Sequence, residues 1–247
     1  MLQSSALVVV PTYNECENIE ALLRRIFSLS ERFEVLIIDD GSPDGTANII
    51  KSLQTEFSGQ LHLIERQGKL GLGTAYIAGF EWGLAHHYSY ICEMDADFSH
   101  DPEDLVRLYH TCTKEGADLA IGSRYINGIS VVNWPIGRVL MSYFASAYVR
   151  IVTGMPVQDA TAGFKCYSSK VLSNIPYKTV EFLGYAFQIQ MKFLTWKYGF
   201  KIVEVPIIFR DRTLGASKMS ASIFTEAFWG VLKMKMKSYF TSYHIEK

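Results

Sequence analysis

Residues 6–10 (Ala-Leu-Val-Val-Val) and 34–38 (Glu-Val-Leu-Ile-Ile) are runs of β-branched and aliphatic side chains with almost no polar interruption. A strand facing water on one side alternates polar and apolar residues, so runs like these must be covered on both faces, as in a parallel sheet flanked by helices. Each run ends in a turn and is followed by apolar residues at helical spacing. After Pro11-Thr12-Tyr13-Asn14-Glu15 come Ile19, Leu22, Leu23 and Ile26, with Asn14 or Glu15 as the expected cap. After Asp39-Asp40-Gly41-Ser42-Pro43-Asp44-Gly45-Thr46 come Ala47, Ile49, Ile50 and Leu53, with Asp44 or Thr46 as the cap. Consecutive strand–loop–helix units imply right-handed crossovers and a ligand crevice beyond the carboxyl ends of the strands. The expected fold class is therefore α/β, mostly parallel and Rossmann-like, with Asp40 at the rim.

Residues 61–64 supply a third strand, followed by a glycine-containing loop at 68–75. That loop is no dinucleotide fingerprint: Tyr76 stands at the third glycine position, and the glycines do not follow the first strand. Residues 90–102 are the most informative stretch. A short apolar run leads into Glu93-Met94-Asp95-Ala96-Asp97-Phe98-Ser99-His100-Asp101-Pro102. In extended backbone alternate side chains share a face, so Asp95 and Asp97 converge just past a strand end. Two carboxylates so placed repel unless a cation lies between them. A hard divalent ion, Mg or Mn, takes one or two protein carboxylates and completes its shell with water and phosphates. A phosphorylated substrate follows as an expectation. Asp101 and Pro102, followed by Glu103 and Asp104, have the ordinary reading of a helix start. Residues 117–125 give a further strand whose end delivers Arg124, a guanidinium suited to clamping phosphate oxygens.

The chain has 247 residues, 49% of them hydrophobic, enough for a sizeable core as one domain or one domain with an appendage. A formal net charge of -1 gives no reason to expect nucleic acid, so any basic site must be local. Cys16, Cys92, Cys112 and Cys166 are far apart with no Cys-x-x-Cys pair, which favours a reducing compartment over a disulfide framework or zinc. Residues 1–5 lack the basic and apolar segments of a signal peptide, and the apolar run at 139–149 is bracketed by Arg138 and Arg150. The expected location is cytoplasmic, peripheral on the cytosolic face of a membrane.

Val8-Val9-Val10-Pro11-Thr12-Tyr13-Asn14-Glu15, Ile37-Ile38-Asp39-Asp40-Gly41-Ser42-Pro43-Asp44-Gly45-Thr46, Met94-Asp95-Ala96-Asp97-Phe98-Ser99-His100-Asp101-Pro102 and Ile121-Gly122-Ser123-Arg124-Tyr125, in that order, resemble the inverting glycosyltransferases of family 2 with the GT-A fold. More narrowly they resemble the dolichyl-phosphate (polyprenol-phosphate) mannosyltransferases, from about Ala6 to Lys218. The resemblance implies a glycosyltransferase domain over 1–218, with GDP-mannose as donor and a polyprenyl or dolichyl phosphate as acceptor. It implies nucleotide-sugar contacts at Pro11, Tyr13, Glu15, Ile38, Asp40, Asp95, Ala96, Asp97, Arg124, Arg212 and Lys218. Asp95 and Asp97 are implied metal ligands, with Ser99 where some relatives carry a third. Residues 157–165 correspond to a loop beneath the sugar pocket.

Arg138 and Ser142 lie one helical turn apart, so with Arg124 they are the expected acceptor-phosphate contacts. Asp97, Arg124 and Arg138 are the residues expected to carry catalysis. Relatives often carry an acid where this chain has Gln190, which leaves that position without an assigned role. Residues 219–247 form an expected amphipathic appendage: an apolar stripe from Ser222 to Leu232 continues into Lys233-Met234-Lys235-Met236-Lys237, beside Trp229. Such a helix suits a packed core or an anionic bilayer surface. Some family members borrow a partner's membrane helices, so a small membrane-anchoring subunit and direct docking are both open. Two rival readings are the same fold with UDP-glucose or another donor, and a non-catalytic nucleotide-binding or membrane-docking module.

Overall fold

The computed structural model describes residues 5–182, 184–211 and 221–244, without the side chains of Tyr185 and residues 221–227. Strands β1 (Ala6–Thr12), β2 (Glu34–Asp39), β3 (Leu61–Glu65) and β4 (Tyr90–Glu93) pair in parallel, and β5 (Leu119–Ser123) pairs in parallel with β8 (Ile202–Pro206). Between the two groups lies β7 (Lys165–Ser168), antiparallel to both β4 and β5, giving the order β3-β2-β1-β4-β7-β5-β8. A parallel α/β sheet is thus the outcome, with one reversed strand that the sequence reading leaves inside a loop.

The side-chain alternation of β1 explains why its sequence is apolar throughout. Leu7 and Val9 belong to the core beneath α3 (Leu72–Ala85) and α7 (Tyr185–Lys197). Ala6, Val8 and Val10 belong to the opposite core under α1 (Ile19–Phe27), α2 (Thr46–Glu56) and α4 (Glu103–Thr113). The close approach of α3 to the sheet depends on Gly79, where an added Cβ would stand 2.4 Å from Val9 Cγ1.

The helix caps differ in part from expectation. No side chain caps α1; the Glu15 carbonyl accepts from the N–H groups of Asn18 and Ile19 instead. Asp44 Oδ1 accepts from the Thr46 N–H and hydroxyl at the start of α2, while Asp44 Oδ2 accepts from the Cys16 N–H. Burial alone would raise the Asp44 carboxyl, but these bonds outweigh it and hold its pKa at about 2. Together with Asn14 N–H to Ser42 Oγ and Glu15 N–H to Thr46 Oγ1, they tie the β1 and β2 loops into one rim. Asp101 behaves as expected, its Oδ1 accepting from the Glu103 N–H at the start of α4.

The remaining elements complete the fold around this sheet. The two-residue strands β6 (Val131–Val132) and β9 (Phe209–Arg210) form a separate parallel ladder, α5 (Ile136–Thr153) follows β6, and α6 (Ser169–Asn174) follows β7. Helix α8 (Ala221–Ser238) rests against α5 and α7, burying Val231 and Met234 while Trp229, Met236, Tyr239 and Phe240 stay exposed. Among the described residues, no helix is long and apolar enough to cross a membrane.

Candidate active site

A cavity of about 900 Å³ opens at the carboxyl ends of the strands. Its walls include Pro11, Tyr13, Glu15, Asp40, Asp95, Ala96, Asp97, Arg124, Arg138 and Ser142, so ten of the residues expected from the sequence meet in one place. Ile38 and Ser99 are not among the lining residues: Ile38 is a core side chain, and Ser99 is 2% exposed. Arg212 and Lys218 lie outside the described residues. Gln190 is also absent from the walls; its Oε1 accepts from the Glu181 N–H instead.

The acid loop is held by neutral donors. Tyr76 OH donates to Asp95 Oδ1 at 3.3 Å, and burial together with the charges of Asp95 and Glu93 pushes the phenol well above its ordinary value, so it keeps its proton. The Ser99 N–H donates to Asp97 Oδ1 at 3.1 Å, a return made by placing Phe98 at φ 57°. A bulky residue in that left-handed region is strained. Ser99 Oγ is buried without a hydrogen-bond partner. Two carboxylates of one sheet end and an orphaned hydroxyl oxygen nearby form an all-oxygen donor set, which fits Mg or Mn and not a soft metal. Among the described residues no three His, Cys, Asp or Glu side chains cluster as a complete cage.

Arg124 emerges from β5 into a fixed setting. Asp159, fully buried, accepts from its backbone N–H (3.0 Å), Nε (2.7 Å) and Nη2 (2.6 Å), and Thr161 Oγ1 accepts from Nη2 at 2.7 Å. Burial by itself would raise the Asp159 carboxyl; the charge and bonds of Arg124 outweigh it and hold the pKa below the usual carboxylate value. Arg138 lies 4.1 Å from the Trp134 ring centroid, and Tyr125 OH donates to Ser142 Oγ at 2.8 Å. The β2 loop brings Asp40 to Arg66, which pairs with Asp40 Oδ1, while the Leu70 N–H donates to Oδ2 at 3.2 Å. Gly41 at φ +70° permits this, since a Cβ there would lie 3.1 Å from Gly68 N.

Residues 7–175 match the Glycosyl transferase family 2 model. The chain belongs to glycosyl transferase family 2. This family member is 45% identical over 230 residues to a polyprenol monophosphomannose synthase of Mycolicibacterium smegmatis, covering 91% of this chain and 86% of that protein. It is 44% identical over 227 residues to an undecaprenyl-phosphate mannosyltransferase of Micrococcus luteus, covering 92% of each. Its fold matches a mannosyltransferase from Pyrobaculum calidifontis in complex with GDP-Man and Mn2+ (TM-score 0.59, 16% identity), covering 98% of this chain and 66%, just under two thirds, of that one. It also matches glucosyl-3-phosphoglycerate synthase from Mycobacterium tuberculosis in complex with Mn2+, UDP and phosphoglyceric acid (TM-score 0.65, 18% identity), covering 95% of this chain and 78% of that one.

Several wall and support residues of this glycosyltransferase escape sequence reasoning. His100 lines the cavity, stacked on Phe164 at 4.7 Å, and burial lowers its pKa to about 4, so it is neutral near pH 7. Lys192 is fully buried and donates to the carbonyls of Ala160 (2.9 Å), Ala162 (2.6 Å) and Gln188 (3.4 Å). Burial drives its pKa well down, but three carbonyl acceptors require three N–H donors, the complement of an ammonium. It thereby pins the segment that carries Asp159 and Thr161, and so Arg124. Asp159 and His100 stood within motifs that were legible only as motifs; Lys192 and Arg66 had no signal beyond proximity to one.

Proposed function

We propose that this glycosyltransferase moves mannose from GDP-mannose to a polyprenyl phosphate, with inversion at the anomeric carbon, giving a β-linked polyprenyl phosphate mannose. The observation that carries the reading is one cavity uniting three chemistries. Acids stand at the β4 end, arginines at the β5 and α5 ends, and Met141, Phe144, Tyr148, Phe228 and Val231 form an apolar wall that suits a prenyl chain. The names of the two relatives at 44–45% identity support the same acceptor class.

Asp95 and Asp97, with Ser99 Oγ at hand, would hold the divalent ion, which when bound supplies positive charge to the leaving diphosphate. Tyr76 keeps Asp95 oriented, and Arg124 presents a fixed guanidinium toward the reacting phosphates. Arg138 and Ser142, both on the cavity wall, are assigned to steer an acceptor phosphate in line. That phosphate is already anionic near neutral pH, so a strong base is not needed, and catalysis reduces to positioning and charge stabilisation. An amide at position 190, turned away from the cavity, accords with this. Pro11, Tyr13, Glu15, Ile38 and Asp40 are assigned to the nucleotide by resemblance, as are Arg212 and Lys218 to the diphosphate. Arg66 must be added to Asp40 at the nucleobase end.

The catalytic unit is assigned to 1–218 and the membrane-facing helix to 219–247. The exposed Ile136, Leu140 and Phe144 of α5 and Trp229, Tyr239 and Phe240 at the other end favour docking on the cytosolic face of a membrane, with or without a small anchoring subunit. Incubation of the pure protein with labelled GDP-mannose, Mg2+ or Mn2+ and a short polyprenyl phosphate tests the reading. Lipid-linked mannose is expected; product only from UDP-glucose or another donor rejects the mannose assignment, and no donor turnover at all rejects the enzyme.

A further inference from the structure

The two arginines assigned to the acceptor phosphate are both paired with carboxylates, but the pairs differ in kind. Arg124 and Asp159 have side chains 8% and 0% exposed, joined through the guanidinium's Nε and Nη2 and through the Arg124 backbone N–H. Parting them would strand a buried charge, so Arg124 keeps its partner through any ligand exchange. Arg138 meets Asp211 through one contact, Nη1 to Oδ1 at 2.8 Å, between side chains 25% and 27% exposed. A pair that water reaches contributes little, about two- to fivefold in an equilibrium. A phosphate monoester, with up to two negative charges and three terminal oxygens, offers a guanidinium more than a single carboxylate oxygen does.

The fold sets this contact up through the main chain of the short ladder. The pairing of Val131 with Phe209 and Val132 with Arg210 is extended by the Asp211 N–H, which donates to the Val132 carbonyl at 3.0 Å. Phe209 packs edge-on against Trp134, whose ring carries Arg138. The main chain therefore delivers one carboxylate to the one guanidinium of the acceptor site that can exchange partners.

We propose that Asp211 is a specificity-determining residue: a placeholder anion that occupies Arg138 until an acceptor phosphate displaces it. The proposal rests on the phosphate-acceptor reading above. A neutral hydroxyl has no charge with which to displace the carboxylate, so the pair favours phosphate acceptors over alcohols, at a small and uniform loss of affinity for every anion that binds Arg138.

The test is Asp211→Asn, with Asp211→Ser as a second neutral variant should the first unfold, each also made in an Arg138→Gln background. In the single variants the KM for a short polyprenyl phosphate and the inhibition constant of inorganic phosphate are expected to fall together by about two- to fivefold, with the KM for the nucleotide sugar unchanged. In the Arg138→Gln background the gain should vanish. An unchanged or higher acceptor KM in a folded variant overturns the proposal, and so does a gain that persists without Arg138, which would mark a general charge effect. Calorimetric titration of inorganic phosphate into wild type and variant reads the same exchange without turnover. A failure of the transferase reading, no lipid-linked sugar from wild type, is thus distinguishable from a failure of the placeholder.

Discussion

Replacing Asp159 by Asn tests whether the interior of the site is built as described. Asp159 is fully buried and accepts three hydrogen bonds from Arg124. Asparagine keeps one acceptor oxygen, which can serve the backbone N–H and Nε, but turns an amide N–H toward Nη2 and removes the countercharge. Breaking a buried pair by altering one member costs about 3–5 kcal/mol. The retained oxygen places this case near the lower figure, about 3 kcal/mol. For a chain of this size each kcal/mol moves the melting temperature by about 2–4 °C, so a fall of roughly 6–12 °C is expected at pH 7. Thermal unfolding followed by circular dichroism reads it directly, and the labelled-donor assay should show turnover reduced at least about tenfold as Arg124 loses its orientation. The pH dependence has a definite sign. A carboxyl held below its unfolded value of about 3.9 stabilises the fold above that value, and the contribution is lost as pH falls through the lower folded value. The gap between wild type and variant should therefore narrow below about pH 4. A melting temperature within about 2 °C of wild type at pH 7 would refute the claim that this pair anchors the site.

Three further outcomes follow from other parts of the molecule. Asp97→Ala should abolish metal-dependent turnover while moving the melting temperature by less than about 3 °C, since Asp97 stands at a loop outside both cores; a large loss of stability would instead make it a structural residue. Gly79→Ala places a methyl 2.4 Å from Val9 Cγ1 and should cost about 1–3 kcal/mol by overpacking, measured in urea; a neutral result would contradict the tight seating of α3 on β1. Trp229→Glu with Phe240→Glu, at positions 67% and 91% exposed, should reduce co-sedimentation with anionic phospholipid vesicles and leave the melting temperature unchanged; equal sedimentation would remove that face from the docking surface.

The parallel half of the sheet was legible because its strands are covered on both sides and so carry runs of Val, Ile and Leu that nothing else in the chain imitates. Strand β7 was not, because Lys165-Cys166-Tyr167-Ser168 reads as polar: its Lys165 is tolerated through Glu93, 72 positions away, at 3.1 Å, and through Gln188 Oε1. Strands β6 and β9 are two residues each and too short for any periodicity. The site followed the same division. Asp95, Asp97 and Arg124 declared themselves by standing at strand ends, whereas Asp159, Lys192 and Arg66 act through partners that only the folded chain brings near. Asp40 illustrates the consequence: as a bare carboxylate it suits a guanine edge, but in the fold Arg66 and the Leu70 N–H already draw on it.

Depth along one strand also separates structural acids from functional ones. Glu93, Asp95 and Asp97 alternate along the end of β4 and its loop, so three carboxylates approach one rim. The deepest, Glu93, is fully buried and meets Lys165 Nζ at 3.1 Å and Gln188 Nε2 at 2.8 Å. Burial pushes Glu93 up and Lys165 down, against their mutual attraction, but the pair carries no net charge whichever side holds the proton. It therefore adds no net charge beneath the acids above it, although the Glu93 carboxylate still acts on the nearby Tyr76 phenol. Asp95 and Asp97 are steadied by a phenol and a backbone N–H, donors that orient without supplying a full positive charge. The strand thus buries its inner acid against a lysine and carries the outer two to the cavity wall, where a bound cation can use their charge.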